Sequence, residues 1–182
     1  MNAEVDISNV TLKTERLVLR PWKLSDVDDM FEYASDKDVG PMAGWSPHKD
    51  KEESLSIIER FIAKKRTFAV EFNGKVIGSL GIECYEEEEL PEFKNKKGRE
   101  IGCVLSKEYW GRGLMPEAIK EVMKYCFEVL KLDFLAYSYF HWNHQSKRVC
   151  EKCGFTFVRN TKRSTPRGTV EDNAVHICLN NR

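Results

Sequence analysis

Two alternating runs joined by Asn73-Gly74 constrain this chain more than anything else in its sequence. Phe68 to Phe72 and Lys75 to Tyr85 carry apolar side chains at strand spacing. Asn-Gly between them suits a type I′ turn, because both of its central residues need positive φ. An antiparallel hairpin is the expected product, and helical stripes on either side of it place the hairpin in a mixed α/β sheet.

The remaining elements follow from periodicity and punctuation. Leu12 to Pro21 reads as one strand, stopped by Pro21. Ser25, with Asp28 three residues on, reads as a helix cap ahead of Val27, Met30, Phe31 and Ala34. A loop from Val39 to Lys49 leads to a second helix, capped by Asp50 and striped by Leu55, Ile58 and Ile62. Glu86 to Lys97, acidic and then basic, reads as a solvated excursion. Arg99 to Leu105 is a strand, and Gly111-Arg112-Gly113 opens a helix with Ile119, Val122, Met123, Cys126 and Leu130 inward. Pro116 fits its first turn, and Glu117/Lys120, Glu121/Lys124 and Glu128/Lys131 form its wet face. Phe134 to Phe140 is a strand, Asn143 to Cys153 a helix ended by Gly154, and Phe155 to Arg159 and Ala174 to Leu179 are strands. Nothing repeats and no linker divides residues 1–182, so one domain is expected.

Charge and cysteine usage narrow the function classes. Lys+Arg and Asp+Glu number 29 each, so a whole-protein basic field for nucleic acid is excluded, though a local patch is not. No apolar run approaches the ~20 residues of a membrane span, and Met1 to Asp6 shows no basic-then-apolar signal segment. A cytoplasmic protein without a membrane partner is expected. Its six cysteines then read as reduced thiols packed like small apolar groups.

Two segments carry chemistry. From Glu100 to Ala118 a strand runs into a Gly-x-Gly turn and a helix N-terminus, where unpaired backbone N–H groups, the helix dipole and Arg112 favour a diphosphate. A plain glycine turn joining strand to helix is the other reading. Dinucleotide and triphosphate loops do not fit, because Pro116 replaces the third glycine and no Gly-Lys-Ser/Thr follows. From Asn143 to Phe155, Asn and Ser suit helix capping. Between Ser146 and Gly168 lie seven basic residues and one acid, which points either to an anionic partner or to a basic face balanced by the Glu-rich excursion. His141, His144, Cys150 and Cys153 are zinc-ligand types, but only five residues separate the pairs, far fewer than zinc ribbons and fingers use. No metal is expected.

Three segments together resemble the GNAT superfamily of acyl-CoA N-acyltransferases, in its RimJ/RimL-like branch, which includes ribosomal-protein N-terminal acetyltransferases. They are Thr14-Glu-Arg-Leu-Val-Leu-Arg-Pro-Trp22, Glu100-Ile-Gly102 through Tyr109-Trp-Gly-Arg-Gly-Leu-Met-Pro-Glu-Ala118, and Asn143-x-x-Ser146 through Lys152-Cys-Gly-Phe155. The resemblance implies a single GNAT domain, a mostly antiparallel mixed sheet splayed at its centre with helices on both faces, and acetyl-CoA as cosubstrate. Cys103, Val104 and Leu105 would pair with the pantetheine amides. Trp110, Gly111, Arg112, Gly113, Leu114 and Met115 would cradle the diphosphate, with Asn143 and Lys152 also on the coenzyme and Ser146 near the thioester sulfur. Trp110 and Met115 depart from the superfamily's usual Gln/Arg and Gly/Ala but occur in this branch. The tyrosine that many members use as general acid is absent from 146–155, which leaves Ser146 as its substitute.

Acetyl transfer to an amine needs a base, a polarised carbonyl and a donor to the leaving thiolate. Glu100, the N–H groups near Cys103 and Val104, and Ser146 are the respective candidates. Glu100 also reads as a strand carboxylate paired with a base, and Ser146 as an ordinary helix-start hydroxyl. Trp45, His48, Tyr85 and Glu86–Glu89 are candidates for the acceptor site, although each also reads as a loop residue. The acceptor is an amine, either a protein N-terminus or a small molecule, and the sequence is compatible with a homodimer. The alternatives are a non-catalytic module that senses coenzyme A or binds RNA, and a zinc protein.

Overall fold

The computed structural model describes residues 1–180; the last two positions of the expected 1–182 domain lie outside the described residues. The elements are β1 (Leu12–Lys13), β2 (Leu17–Pro21), α1 (Val27–Ala34), α2 (Lys51–Lys64), β3 (Thr67–Phe72), β4 (Lys75–Glu83), β5 (Gly98–Leu105), α3 (Leu114–Glu128), β6 (Phe134–Phe140), α4 (His144–Lys152), β7 (Thr156–Ser164) and β8 (Val170–Leu179). They build one eight-stranded sheet in the order β1-β2-β3-β4-β5-β6-β8-β7. Every strand pair is antiparallel except β5–β6, which is parallel. Helices cover both faces, as expected.

The β3–β4 hairpin turns as its sequence demands, with φ of 51° at Asn73 and 80° at Gly74. Asp50 caps α2 by accepting the Glu53 amide at 2.8 Å. Along β4, seven consecutive residues from Val76 to Ile82 are buried, so apolar side chains leave it on both faces. On one face α3 and α4 close a core of Leu19, Phe68, Leu80, Ile119, Val122 and Cys126. On the other, α1 and α2 bury Trp22, Met30, Tyr33 and Ile58. Each of these larger apolar side chains contributes about 1.5–3 kcal/mol relative to exposure.

Several expectations need correction. Leu12–Pro21 is two short strands, because the chain folds back through Thr14 and the Leu17 amide bonds its Oγ1 at 2.9 Å. Ser25 does not cap α1. Buried Asp26 instead accepts the Lys23 amide and both arms of Arg20, at 2.8 to 2.9 Å. The Glu86–Lys97 excursion is no free loop: short turns at 87–89 and 91–93 bring Leu90 to 1% exposure and Phe93 against Phe134 at 4.7 Å. Gly98 makes that packing feasible, since a Cβ there would lie 2.2 Å from the Phe134 ring. The last two strands are longer than read, β7 running to Ser164 and β8 starting at Val170. Among the described residues the six cysteines are free, and Cys126, Cys150 and Cys153 are buried, which pushes each thiol up to about 12. No helix among the described residues is long and apolar enough to cross a membrane.

Candidate active site

The site is made by a parting of two neighbouring strands. β5 and β6 pair from Gly98/Phe134 to Ile101/Tyr137 and then separate, while β5 stays on β4 as far as Leu105 and β6 stays on β8 as far as Phe140. The opened edge has free backbone groups. The Ser106 amide bonds Ile77 of β4 at 2.7 Å, so by strand alternation Val104 also faces β4, whereas Cys103 and Leu105 face the gap. This corrects the expectation for Val104: the amides available in the opening belong to Cys103 and Leu105. Trp110 Nε1 donates to the Leu105 carbonyl at 2.8 Å and satisfies one exposed acceptor on that edge.

A cavity of about 880 Å³ occupies the parting and runs to the start of α3. There Gly111 and Gly113 take φ of 77° and 75°, and a Cβ on Gly111 would meet nothing within 4 Å. Pro116 occupies the first turn of α3, and Glu117 is the first residue to bond back, to the Gly113 carbonyl at 3.3 Å. None of the N–H groups from Gly111 to Met115 has a partner among the described residues, and all of these residues but Arg112 line the cavity. Exposed Arg148 and Lys152 line the same end. Open space, free N–H groups, a helix N-terminus and two cations fit a diphosphate. Arg112 itself lies over the Tyr109 ring, 5.0 Å from its centroid, and lines none of the cavity.

Strand alternation puts the remaining candidates on opposite sheet faces. Ser146 lies in the first turn of α4, below its cap Asn143, whose Oδ1 accepts the Ser146 amide at 2.9 Å while Nδ2 donates to the Met42 carbonyl at 2.9 Å. Ser146 Oγ is 2.9 Å from the Tyr137 hydroxyl, which is also 3.4 Å from Cys103 Sγ. Tyr137 is 1% exposed, and burial holds its phenol well above its ordinary value, so it stays protonated. Burial likewise pushes the Cys103 thiol up to about 11. On the other face, Glu100 accepts Ser138 Oγ at 2.6 Å and Arg163 Nη1 at 2.8 Å, both on Oε1. Its Oε2 has only a 3.5 Å contact with Arg163 Nη2. Arg163 also reaches Glu89 at 2.6 Å, and burial of its charge is outweighed by the two carboxylates, so its pKa is raised.

Glu100, Cys103, Val104, Leu105, Trp110, Gly111, Gly113, Leu114, Met115, Asn143, Ser146 and Lys152 all meet at this cavity, and Trp45, His48 and Tyr85 do not. Trp45 packs on His48 at 5.2 Å in the α1–α2 layer, and His48 Nδ1 bonds Ser54 at 2.8 Å. Tyr85 packs edge-on to Phe134 and accepts the N-terminal ammonium at 2.6 Å. These aromatics were plausible because they stand in loops, but each loop folds inward around them. The basic 147–167 segment divides: Arg148 and Lys152 face the cavity, while Arg159, Lys162 and Arg163 pair with Glu92, Asp172 and the Glu89/Glu100 couple. The zinc reading fails on placement. His141 Nε2 bonds Asn160, Cys150 is fully buried, and among the described residues no three His, Cys, Asp or Glu gather to hold a metal.

A parted parallel strand pair beside a turn of unpartnered amides is an arrangement that can take a phosphorylated group donor. The acetyltransferase (GNAT) domain family matches residues 16–156, and the chain belongs to that family; it is an N-acetyltransferase. It is similar to an uncharacterized N-acetyltransferase, p20, of Bacillus licheniformis, 30% identical over 131 residues that cover 68% of this chain and 69% of the relative. A GNAT-family acetyltransferase of Bacillus anthracis has a similar structure, with a TM-score of 0.81 and 25% identity, covering 95% of this chain and all of that one. The fold is shared with a ribosomal-protein-S5-alanine acetyltransferase of Vibrio fischeri, at TM-score 0.70 and 21% identity over 95% and 98% of the two chains.

Proposed function

We propose that this chain moves an acetyl group from acetyl-CoA directly to a primary amine, with donor and acceptor bound together. The observation that carries the reading is the continuity of the cavity from the unpaired N–H groups of 111–115, along the Cys103–Leu105 edge, to Glu100 on the far face of the sheet. The turn at 111–115, with Arg148 and Lys152, holds the diphosphate end. The gap-facing carbonyl of Cys103 accepts from a pantetheine amide, and the Cys103 N–H polarises the thioester carbonyl. Acetyl-CoA supplies an acetyl group activated as its thioester.

The side chains divide the proton work. Glu100 Oε2 takes the proton of the incoming ammonium, directly or through a water, while Ser138 and Arg163 hold Oε1 in place. As the tetrahedral intermediate collapses, the C–S bond breaks and the second proton of the amine nitrogen passes to the leaving sulfur through Ser146, whose hydroxyl points into the cavity while Tyr137 donates to its Oγ across 2.9 Å. Tyr137 thus supplies from β6 the phenol that 146–155 lacks. Holding amine and thioester in line contributes several kcal/mol beyond these groups. At the acceptor end, Arg66 pairs with Glu83 and Arg163 with Glu100, and Glu86 adds a further negative charge that favours a cationic amine, a protein N-terminus or a small molecule. Met42, Phe140 and Thr165 also line the cavity.

The test is thiol release from acetyl-CoA with peptide and small-amine panels, with mass analysis of the amine. Coenzyme A and acetylated amine should appear one for one. Coenzyme binding without thiol release on any amine would favour the sensing module, and salt-sensitive RNA binding without thiol release the RNA module.

A further inference from the structure

Thr14 and Arg16, in the opening of the N-terminal motif, take no part in the transfer chemistry, yet their side chains are fully engaged. Glu117, expected on the wet face of α3, turns its carboxylate back onto the β1–β2 turn. Thr14 Oγ1 donates to its Oε1 at 2.5 Å, and the Arg16 amide to the same oxygen at 2.9 Å. Arg16 Nε and Nη2 both reach Oε2 at 2.7 Å. Burial opposes the charge on Glu117, but these donors prevail and hold the carboxyl below its ordinary value. One arm of the guanidinium remains, and Nη1 donates to the Arg112 carbonyl at 3.1 Å.

Arg112 is the middle residue of the Gly-x-Gly turn. In a trans peptide the carbonyl and the following N–H point in opposite directions, so holding the Arg112 carbonyl on Arg16 aims the Gly113 N–H away from Arg16. Gly113 lines the cavity and Arg16 does not. Two glycines at positive φ flank this peptide, and an unbraced turn of that kind loses much conformational freedom when a ligand orders it. Arg16 also cancels the Glu117 charge, which would otherwise face an incoming anion from the first turns of α3.

We infer that Arg16, anchored on Glu117, is a positioning residue that sets the Gly111–Gly113 turn in its diphosphate-binding form before coenzyme A arrives. The inference rests on the acetyl-CoA reading above.

The experiment is calorimetric titration of coenzyme A into wild type, Arg16→Met and Arg16→Lys, with kcat and KM for acetyl-CoA measured on the same preparations. Arg16→Met should weaken coenzyme A binding about tenfold, and Arg16→Lys, which cannot hold Glu117 and the Arg112 carbonyl together, about fivefold. KM should rise in parallel, while kcat at saturation stays within about twofold. Binding unchanged in both variants overturns the inference. Full recovery with lysine overturns it in favour of charge alone, and kcat falling together with affinity overturns it in favour of a general structural role. If Arg16→Met fails to fold, Arg16→Lys decides. No heat from the wild type removes the acetyl-CoA reading and this inference with it, whereas wild-type heat with unaltered variants removes the inference alone.

Discussion

Tyr137→Phe removes one oxygen from the middle of the site and leaves the ring against Phe155, 5.3 Å away. The oxygen makes a 2.9 Å bond to Ser146 Oγ and a 3.4 Å contact with the Cys103 sulfur. Only the first is a strong hydrogen bond, since thiols are weak partners. Ser146 lines the cavity, so water can replace the lost phenol and no buried group is stranded. The stability cost is therefore about 1 kcal/mol, or about 3 °C in Tm for a chain of this size. The catalytic cost comes from freeing the serine rotor, which then points at the sulfur only part of the time; kcat should fall about fivefold with KM for acetyl-CoA unchanged. Ser146→Ala should fall further. In the double variant Tyr137→Phe should add nothing to the serine loss, because the phenol acts only through that hydroxyl. Steady-state thiol release on the four proteins is the assay. Multiplying losses, or an unaltered kcat in Tyr137→Phe, would refute the two-hydroxyl arrangement.

Other outcomes follow from the same geometry. Glu100→Gln should cut kcat about a hundredfold, most steeply at low pH where the amine needs its base, and leave coenzyme affinity within about twofold; an unaltered pH–rate profile removes Glu100 from the mechanism. Leu90→Ala should cost about 3 kcal/mol in urea unfolding, since Leu90 anchors the 86–97 segment at 1% exposure, and a loss below about 1 kcal/mol would mean that the segment is not held there. Burial keeps His48 and His176 below their ordinary 6.5. The unfolded chain therefore takes up protons first, so stability is full above pH 7 and declines as the pH falls below about 6.5. A urea midpoint at pH 5.5 equal to that at 7.5 would contradict this.

Sequence and structure agree where local chemistry decides. Asn73-Gly74 fixes a hairpin and Asp50 caps α2 whatever the rest of the chain does. The Gly111–Met115 turn is legible because free amides follow from a helix start and Pro116 adds no donor. The rest needed distant partners. Arg163 looked like one more base in a charged run, and nothing local ties it to Glu100, 63 residues earlier. Tyr137 is one residue of an apolar strand, and its hydroxyl facing Ser146 leaves no trace in the spacing. The far half of β7 leaves no signal in the sequence because β7 is an edge strand, exposed or half-exposed throughout, without the alternation that marks a strand. Trp45 and His48 were misplaced for the opposite reason: a loop bearing glycine and proline suggested exposure, yet Gly40 lets the Trp45 ring close over the backbone, where a Cβ would meet it at 2.4 Å.

A crystal structure with acetyl-CoA tests the central claim most directly. The diphosphate should sit on the N–H groups of Gly111 to Met115, the pantetheine should run along the β5 edge at Cys103, and the sulfur should lie within hydrogen-bond reach of Ser146. A coenzyme bound elsewhere, or a gap between β5 and β6 closed by the protein's own side chains, would contradict it.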